Sequence, residues 1–432
     1  MLRKADTTDF CTDTCRTLFL QALDLKTAIV GAGIVGSAIG FRLAGSGHDV
    51  TFFDPAAGKR STSYGNAGHI GTASVVPWAS PENLSSAFRN HADPTHPLTL
   101  RLVDLLGQPR WLARFLWACR RSSASQAMHA LASILSVSDD WLNLLLKDAN
   151  VEKLREKKGL LHVYLSEETA RGARDALSRR RDMGIAVTDL RTDELFELEP
   201  GLIESASRSG VVGATLFPDV AQITSPQALL EAFRKGSMAG ICAETVVDVT
   251  AGSAGVMIKT DLDEHAFDAV VIAAGLGSAS LARPHGARVP LIAERGYHEQ
   301  YDVPARFRRS ALLVDMRVVA SPMREGVRLT TGAEFTRSSR KPDFDRIAPV
   351  LDKAKPFLGI ADNKPNLWSG DRPSTPDSMP VIGAAPSSNR VFLAYGHGHL
   401  GLTMAAVTAE IARAHFHNEM SPISLAPFRP DR

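Results

Sequence analysis

The chain has 432 residues, 44% of them hydrophobic and 22% charged, with 33 Gly, 24 Pro and only 4 Cys. That length exceeds one compact core and implies two or three domains of roughly 100–200 residues each, and the composition excludes collagen-like, disulfide-scaffold and wholly disordered classes. The 49 Lys+Arg against 47 Asp+Glu leave a formal charge of +2, without the basic surplus of a dedicated nucleic-acid binder, so no nucleic-acid partner is expected.

In residues 1–25, Asp6, Asp9, Asp13 and Arg16 break up the segment around the apolar patch Leu18-Phe19-Leu20. A signal peptide needs roughly 7–15 uninterrupted apolar residues, so this stretch reads as a disordered extension. No segment approaches the roughly 20 apolar residues that span a bilayer. Cys11, Cys15, Cys119 and Cys242 show no zinc or redox spacing. They fit a reducing compartment, which predicts a cytoplasmic location and no metal site.

Order begins at Thr27-Ala28-Ile29-Val30, an apolar strand that runs into Gly31-Ala32-Gly33-Ile34-Val35-Gly36. A helix follows until Gly45 and Gly47. A second strand, Asp49 to Phe53, ends on Asp54. Strand, glycine turn, helix, strand and acid in that order form a dinucleotide-binding fingerprint. Gly31 permits the tight turn, Gly33 admits a pyrophosphate to the backbone, and Gly36 lets the helix pack closely. The helix start, with Ile34 and Val35, offers N–H groups and partial positive charge to phosphate. Asp54 is placed to accept hydrogen bonds from a ribose.

Four further runs carry a resemblance. The runs STSYGNAGHI (Ser61 to Ile70) and VPWASP (Val76 to Pro81), the segment LWSGDRPSTPDSMPVIG (Leu367 to Gly383), and AYGHGHLGLTMAAVTAE (Ala394 to Glu410) together resemble the FAD-dependent D-amino-acid dehydrogenases. These belong to the D-amino-acid oxidase, glycine oxidase and sarcosine oxidase superfamily. The resemblance spans about residues 26–418. It implies an α/β fold in which a Rossmann-like FAD-binding domain is interleaved with an α+β substrate domain containing an antiparallel sheet. The FAD domain is expected from 26–75, 205–285 and 366–420, the substrate domain from 76–204 and 286–365, and a loose tail from 421–432.

Between the motifs, residues 98–150 read as helices with apolar stripes, including Trp111, Phe115 and Cys119. Leu160 to Leu165 and Val211 to Phe217 read as strands. Ser225-Pro226 is a capped helix start, with Gly240 as the stop. Thr245 to Thr250 and Val256 to Thr260 form a hairpin pattern, and Phe267 to Gly275 is a strand entering a glycine turn.

The resemblance implies non-covalent FAD, since no Cys falls where attachment would be expected. Beyond the fingerprint it places Ser63, Asn66, Ala67, Gly68, Val247, Ala274, Gly275, Gly370, Gly398, His399, Leu400 and Gly401 around the cofactor. Flavin N5 takes hydride from the substrate Cα, so the protein must fix the carboxylate and hold the amine neutral. Arg372 occupies the motif position of the carboxylate-binding arginine. Its alternative is an ion pair with Asp371 or Asp377. His69, Tyr297 and His399 are the other candidates for the catalytic pocket. His69 replaces the glutamine of D-alanine-type dehydrogenases, which is closer to a branch acting on cyclic imino acids such as D-hydroxyproline.

The expected activity is oxidative deamination of D-amino acids, with electrons leaving to a respiratory quinone or another non-O2 acceptor. The alternatives are a cyclic imino acid dehydrogenase, a sarcosine- or glycine-type oxidase that makes peroxide, and a non-catalytic FAD protein. The basic residues from Arg110 to Arg121, set around Trp111, Phe115 and Trp117, suggest contact with the inner face of the plasma membrane. The plainer reading is a helix packed within the substrate domain.

Overall fold

The computed structural model describes residues 25–56, 61–89, 98–360 and 362–432. Apart from Leu25, the expected extension over 1–25 lies outside the described residues, as do Cys11 and Cys15.

Lys26–Val30 and Ala269–Ile272 read KTAIV and AVVI, near-continuous apolar runs of the kind buried on both faces of a parallel sheet. They pair in parallel at the centre of a six-stranded sheet. Asp49–Phe53 and Gly240–Cys242 extend it on one side. Ser388–Tyr395 extends it on the other, and antiparallel Val381–Ala385 closes that edge. Helices Ile34–Ala44, Pro226–Gly236 and Gly401–Phe416 share one core with this sheet, through Ile39, Leu230, Met404, Phe52 and Phe392. The opposite face is covered by a small antiparallel sheet of Val246–Ala251, Val256–Thr260 and Glu264–Phe267. This is the expected Rossmann-like layer.

The second sheet has nine strands. Its path runs Asn366–Ser374, Ile292–Tyr301, Gly326–Thr336, Val318–Met323, Ser310–Leu313, Leu160–Tyr164, Gly213–Phe217 and Thr188–Leu190, with Leu98–Leu100 beside Gly326–Thr336. Most pairs are antiparallel. Helix Phe344–Ala354 buries Ile347 and Leu351 against Tyr297, Tyr301 and Leu329 on one face of this sheet. The other face turns toward the first sheet.

Packing departs from the sequence reading in four places. The 28-residue helix Arg121–Asp148, expected in the substrate domain, buries Leu131, Ile134, Leu142 and Leu145 in the Rossmann-like core. Asn366–Ser374 and Gly213–Phe217, expected in the FAD domain, are strands of the larger sheet. The helix capped by Ser225 stops at Gly236, and Gly240 opens a strand instead. The tail, expected loose, is docked. Phe428 is fully buried, Arg432 pairs with Asp377 at 2.9 Å, and Pro430 O accepts from Arg288 N–H. Trp111 and Phe115 follow the plainer reading of their helix, stacking at 5.0 Å inside a cluster with Phe335 rather than facing outward. Trp111 Nε1–H donates to Ser374 O at 3.1 Å.

Candidate functional site

The carboxyl ends of the parallel strands and the inner face of the larger sheet enclose a cleft of about 970 Å³. Crevices outside strand carboxyl ends are where doubly wound sheets take ligands, and this volume lies at the upper end for a small-molecule site.

The glycine turn forms one wall. Gly31 has φ +103°, and a Cβ there would lie 2.4 Å from Ala273 O. Gly33, Ile34 and Val35 line the cleft. Gly36 stands behind them, where a Cβ would meet Gly31 O at 2.0 Å, so it serves the close packing and not the cleft surface. Asp54 lines the cleft, and its Oδ2 accepts from Ala32 N–H at 3.0 Å, which fixes the acid against the turn. Ser63 Oγ accepts from Ile34 N–H at 3.0 Å and draws the 61–68 segment onto the helix start. Ser63, Asn66 and Ala67 line the cleft, whereas Gly68, at φ +81°, backs against Ile223 O.

Val247, Ala274 and Gly275 line it too. Among the described residues, nothing lies within 4 Å of where a side chain on Gly275 would begin. Gly398, His399, Leu400 and Gly401 bring the start of helix Gly401–Phe416 to the opposite wall. Gly370 is not on the surface: its missing side chain, like that of Gly65, leaves room for the Trp368 ring, which a Cβ would approach to 2.1 and 2.2 Å. An extended cleft with a side-chain-free turn, an acid at one strand end and two helix starts fits a dinucleotide that carries a flat ring system.

Arg372 lines the cleft beyond this cradle. Its Nη1 donates to Glu294 Oε1 at 3.1 Å and to Gly332 O at 3.2 Å. Glu294 is fully buried, and its Oε2 accepts from Ser374 Oγ at 2.6 Å. Neither expected partner holds Arg372, because Asp371 pairs with Arg295 and Asp377 with Arg432. Nε and Nη2 of Arg372 make no hydrogen bond among the described residues. Gly296 gives the guanidinium its space, since a Cβ there would be 2.1 Å from Nη2.

His69 lines the cleft with Nε2 3.3 Å from Ser321 Oγ, and burial lowers its pKa to about 4. His399 opens into the cleft, and its Nδ1 accepts from Trp78 Nε1–H at 3.1 Å. Desolvation by the surrounding protein also holds His399 below the ordinary imidazole value, with Glu294 opposing and the Arg372 charge adding to the effect. Tyr297, expected in the pocket, is on the other face of the sheet. It is buried, with its hydroxyl 2.5 Å from Glu334 Oε2. Its neighbour His298 faces the site side, donating from Nδ1 to Gly65 O and stacking on Trp368 at 4.8 Å.

Trp78, Glu294, Gly296 and Trp368 were not singled out from sequence. Trp78 and Trp368 stood inside the quoted motifs. Glu294 and Gly296 gave no signal, because their role arises only when their strand aligns with Asn366–Ser374.

Residues 26–414 match the FAD dependent oxidoreductase family. A D-amino-acid oxidase of Bradyrhizobium diazoefficiens is 30% identical over 423 residues, covering 94% of this chain and 98% of the relative. A D-amino acid dehydrogenase of Dechloromonas aromatica is 28% identical, covering 89% and 95%. Among solved structures, glycine oxidase from Geobacillus kaustophilus superposes with a TM-score of 0.71 at 23% identity, covering 94% and 98% of the two chains, a likeness of fold. The chain therefore belongs to the FAD-dependent oxidoreductase family, and its cofactor is FAD.

Proposed function

We propose that this enzyme oxidatively deaminates D-amino acids, converting the amine to an imine that water hydrolyses to a 2-oxo acid and ammonia. The observation that carries the reading is Arg372 on the cleft wall, anchored through Nη1 by buried Glu294 with Nη2 and Nε uncommitted. A guanidinium held on one side presents a rigid fork to a substrate carboxylate. His69 and His399 both stay neutral near pH 7, so Arg372 is the cation available to orient the substrate. FAD, when bound, supplies the hydride acceptor. Gly31, Gly33, Ile34, Val35 and Asp54 would hold its adenosine diphosphate half, with Val247 and Gly275. Asn66, Ala67 and the Gly398–Gly401 turn would flank the ring, whose reduced form gains negative charge that a helix start stabilises. Neither described cysteine lines the cleft, which supports non-covalent FAD.

The relatives named dehydrogenases fit electron transfer to an acceptor other than O2, such as a quinone, whereas the relative named an oxidase fits O2. No helix among the described residues is long and apolar enough to cross a membrane. A second reading, favoured by His69 on the cleft wall, is a cyclic imino acid substrate such as D-proline or D-hydroxyproline.

One experiment separates these readings. The holoenzyme is mixed anaerobically with D-alanine, D-proline and the hydroxyproline isomers while the oxidised-flavin absorbance is followed. Bleaching by D-alanine is expected, and stronger bleaching by the cyclic acids selects the second reading. No bleaching by any of them overturns both and leaves a sarcosine- or glycine-type oxidase or a non-catalytic flavoprotein. Repeating the turnover in air, peroxide release would replace the dehydrogenase assignment with an oxidase.

A further inference from the structure

His399 has an unusual partner. Trp78 Nε1–H points at its Nδ1 from 3.1 Å, and the two rings meet edge to face with centroids 6.0 Å apart. Trp78 is in turn packed edge-on to Phe335 in the cluster that holds Trp111. An indole nitrogen can only donate, so the bond requires Nδ1 to be the acceptor. Protonation at Nδ1 would set two N–H groups against each other, with the indole donor left unpaired. The neutral ring therefore carries its proton on Nε2.

The charged groups around His399 pull in opposite senses, and desolvation outweighs them. Arg372, from strand Asn366–Ser374, opposes a second positive charge. Glu294, from strand Ile292–Tyr301, would favour one, but its carboxylate is committed to Arg372 and Ser374. On the same turn His397 is buried with Nε2 3.1 Å from Thr408 Oγ1, and burial lowers its pKa to about 3, so it adds no charge.

We propose that Trp78 is a positioning residue that holds His399 as the neutral Nε2–H tautomer, making His399 a second donor to the carboxylate bound by Arg372. The inference rests on the reading of Arg372 given above, and it names how this chain's own histidine serves that site. A fixed neutral donor adds a hydrogen bond to the substrate anion without adding a charge that would repel an incoming ammonium form.

The test uses holoenzyme with 15N-labelled histidine, the His399 resonances being assigned by their loss in His399→Gln. In the wild type, His399 is expected as a single Nε2–H tautomer that titrates below the ordinary imidazole value of about 6.5. An Nδ1–H tautomer there overturns the proposal without any Trp78 variant. Trp78→Phe keeps an aromatic ring against Phe335 but removes the donor. In it, His399 should become a tautomer mixture and titrate closer to the ordinary value of about 6.5. KM for D-alanine should rise roughly tenfold with kcat changed less than about twofold, as expected for a weakened bond to a charged group. Adding His399→Gln to Trp78→Phe supplies an amide donor that does not titrate, and should recover most of KM. Unchanged tautomer and titration in Trp78→Phe, or unchanged KM, overturns the assignment. If no D-amino acid reduces the wild-type flavin, the functional reading fails, and the tautomer measurement still decides whether Trp78 controls His399.

Discussion

Gly296 matters at the substrate end because of what it lacks. The guanidinium of Arg372 fills the space a Cβ at 296 would take, 2.1 Å from Nη2. Gly296→Ala must therefore displace Arg372 or spread strands Ile292–Tyr301 and Asn366–Ser374, which pair at Gly296 and Gly370. KM should rise by about an order of magnitude or more, with flavin content unchanged, because the cradle around Gly31 is untouched. Arg372→Lys should have a similar effect for a different reason: an ammonium keeps the charge but cannot offer the planar fork. Lysine is the better probe than alanine. Truncation would strand the buried Glu294 carboxylate with only Ser374, at about 3–5 kcal/mol in stability. Steady-state kinetics of both variants decide the point, and wild-type KM in both would remove Arg372 from substrate binding.

Between residue and molecule, the helical pair Leu102–Leu106 and Pro109–Ala118 separates the two readings of its amphipathic pattern. The apolar stripe is there, but Trp111 and Phe115 are its inner side. The outward apolar residues are Leu102, Val103, Leu106, Leu116 and Trp117. Asp104, the acid of the first helix, is buried and bound by Arg337 and Arg340, so it does not offset Arg110, Arg120 and Arg121 at the surface. Apolar side chains rimmed by arginine match an anionic lipid surface. Holoenzyme should co-sediment with vesicles containing anionic lipid. Val103→Glu with Trp117→Glu should abolish this, with soluble-dye turnover retained. Wild-type protein left in the supernatant would rule out this face.

The cleft positions of the glycine turn, Asp54 and the Gly398–Gly401 turn were legible because each is local in sequence, its shape set by a few successive backbone angles. The positions of Tyr297, Glu294 and Gly296 were not. Adjacent residues of a strand face opposite ways, so a bulge between Arg295 and Tyr297 decides which side each one sees. The packing of helix Arg121–Asp148 and of the tail through Phe428 likewise depends on partners far off in the chain.

The whole molecule carries a consequence of that burial. His48, His298 and His397 are buried, and His69 and His162 half-buried; burial, as the leading cause in each of His48, His69, His162, His298 and His397, lowers their pKa values to about 4, 4, 3, 3 and 3. In the unfolded chain each would titrate near 6.5. Between those limits the unfolded state binds protons that the folded state refuses, so stability rises with pH there and falls as the solution is acidified. The loss should begin near pH 6.5 and grow until the folded-state values near 3–4 are reached. Each fully ionised histidine contributes on the order of a few kcal/mol, because every tenfold difference in proton affinity between the two states corresponds to about 1.4 kcal/mol. Buried carboxylates such as Asp104, held below the usual range by Arg340, lose their own contribution only as pH falls below about 4, so they cannot account for a change above pH 5. Holoenzyme melting should therefore be nearly flat from pH 8 to 7 and drop steeply from 6.5 to 5. His48 offers a check, because its Nδ1 sits 2.9 Å from Thr27 Oγ1 while its Nε2 is buried without a partner among the described residues. His48→Gln keeps a polar side chain that cannot titrate, and should flatten part of the acid slope. A melting temperature that stays level between pH 7 and 5 would show that these imidazoles are not buried as described.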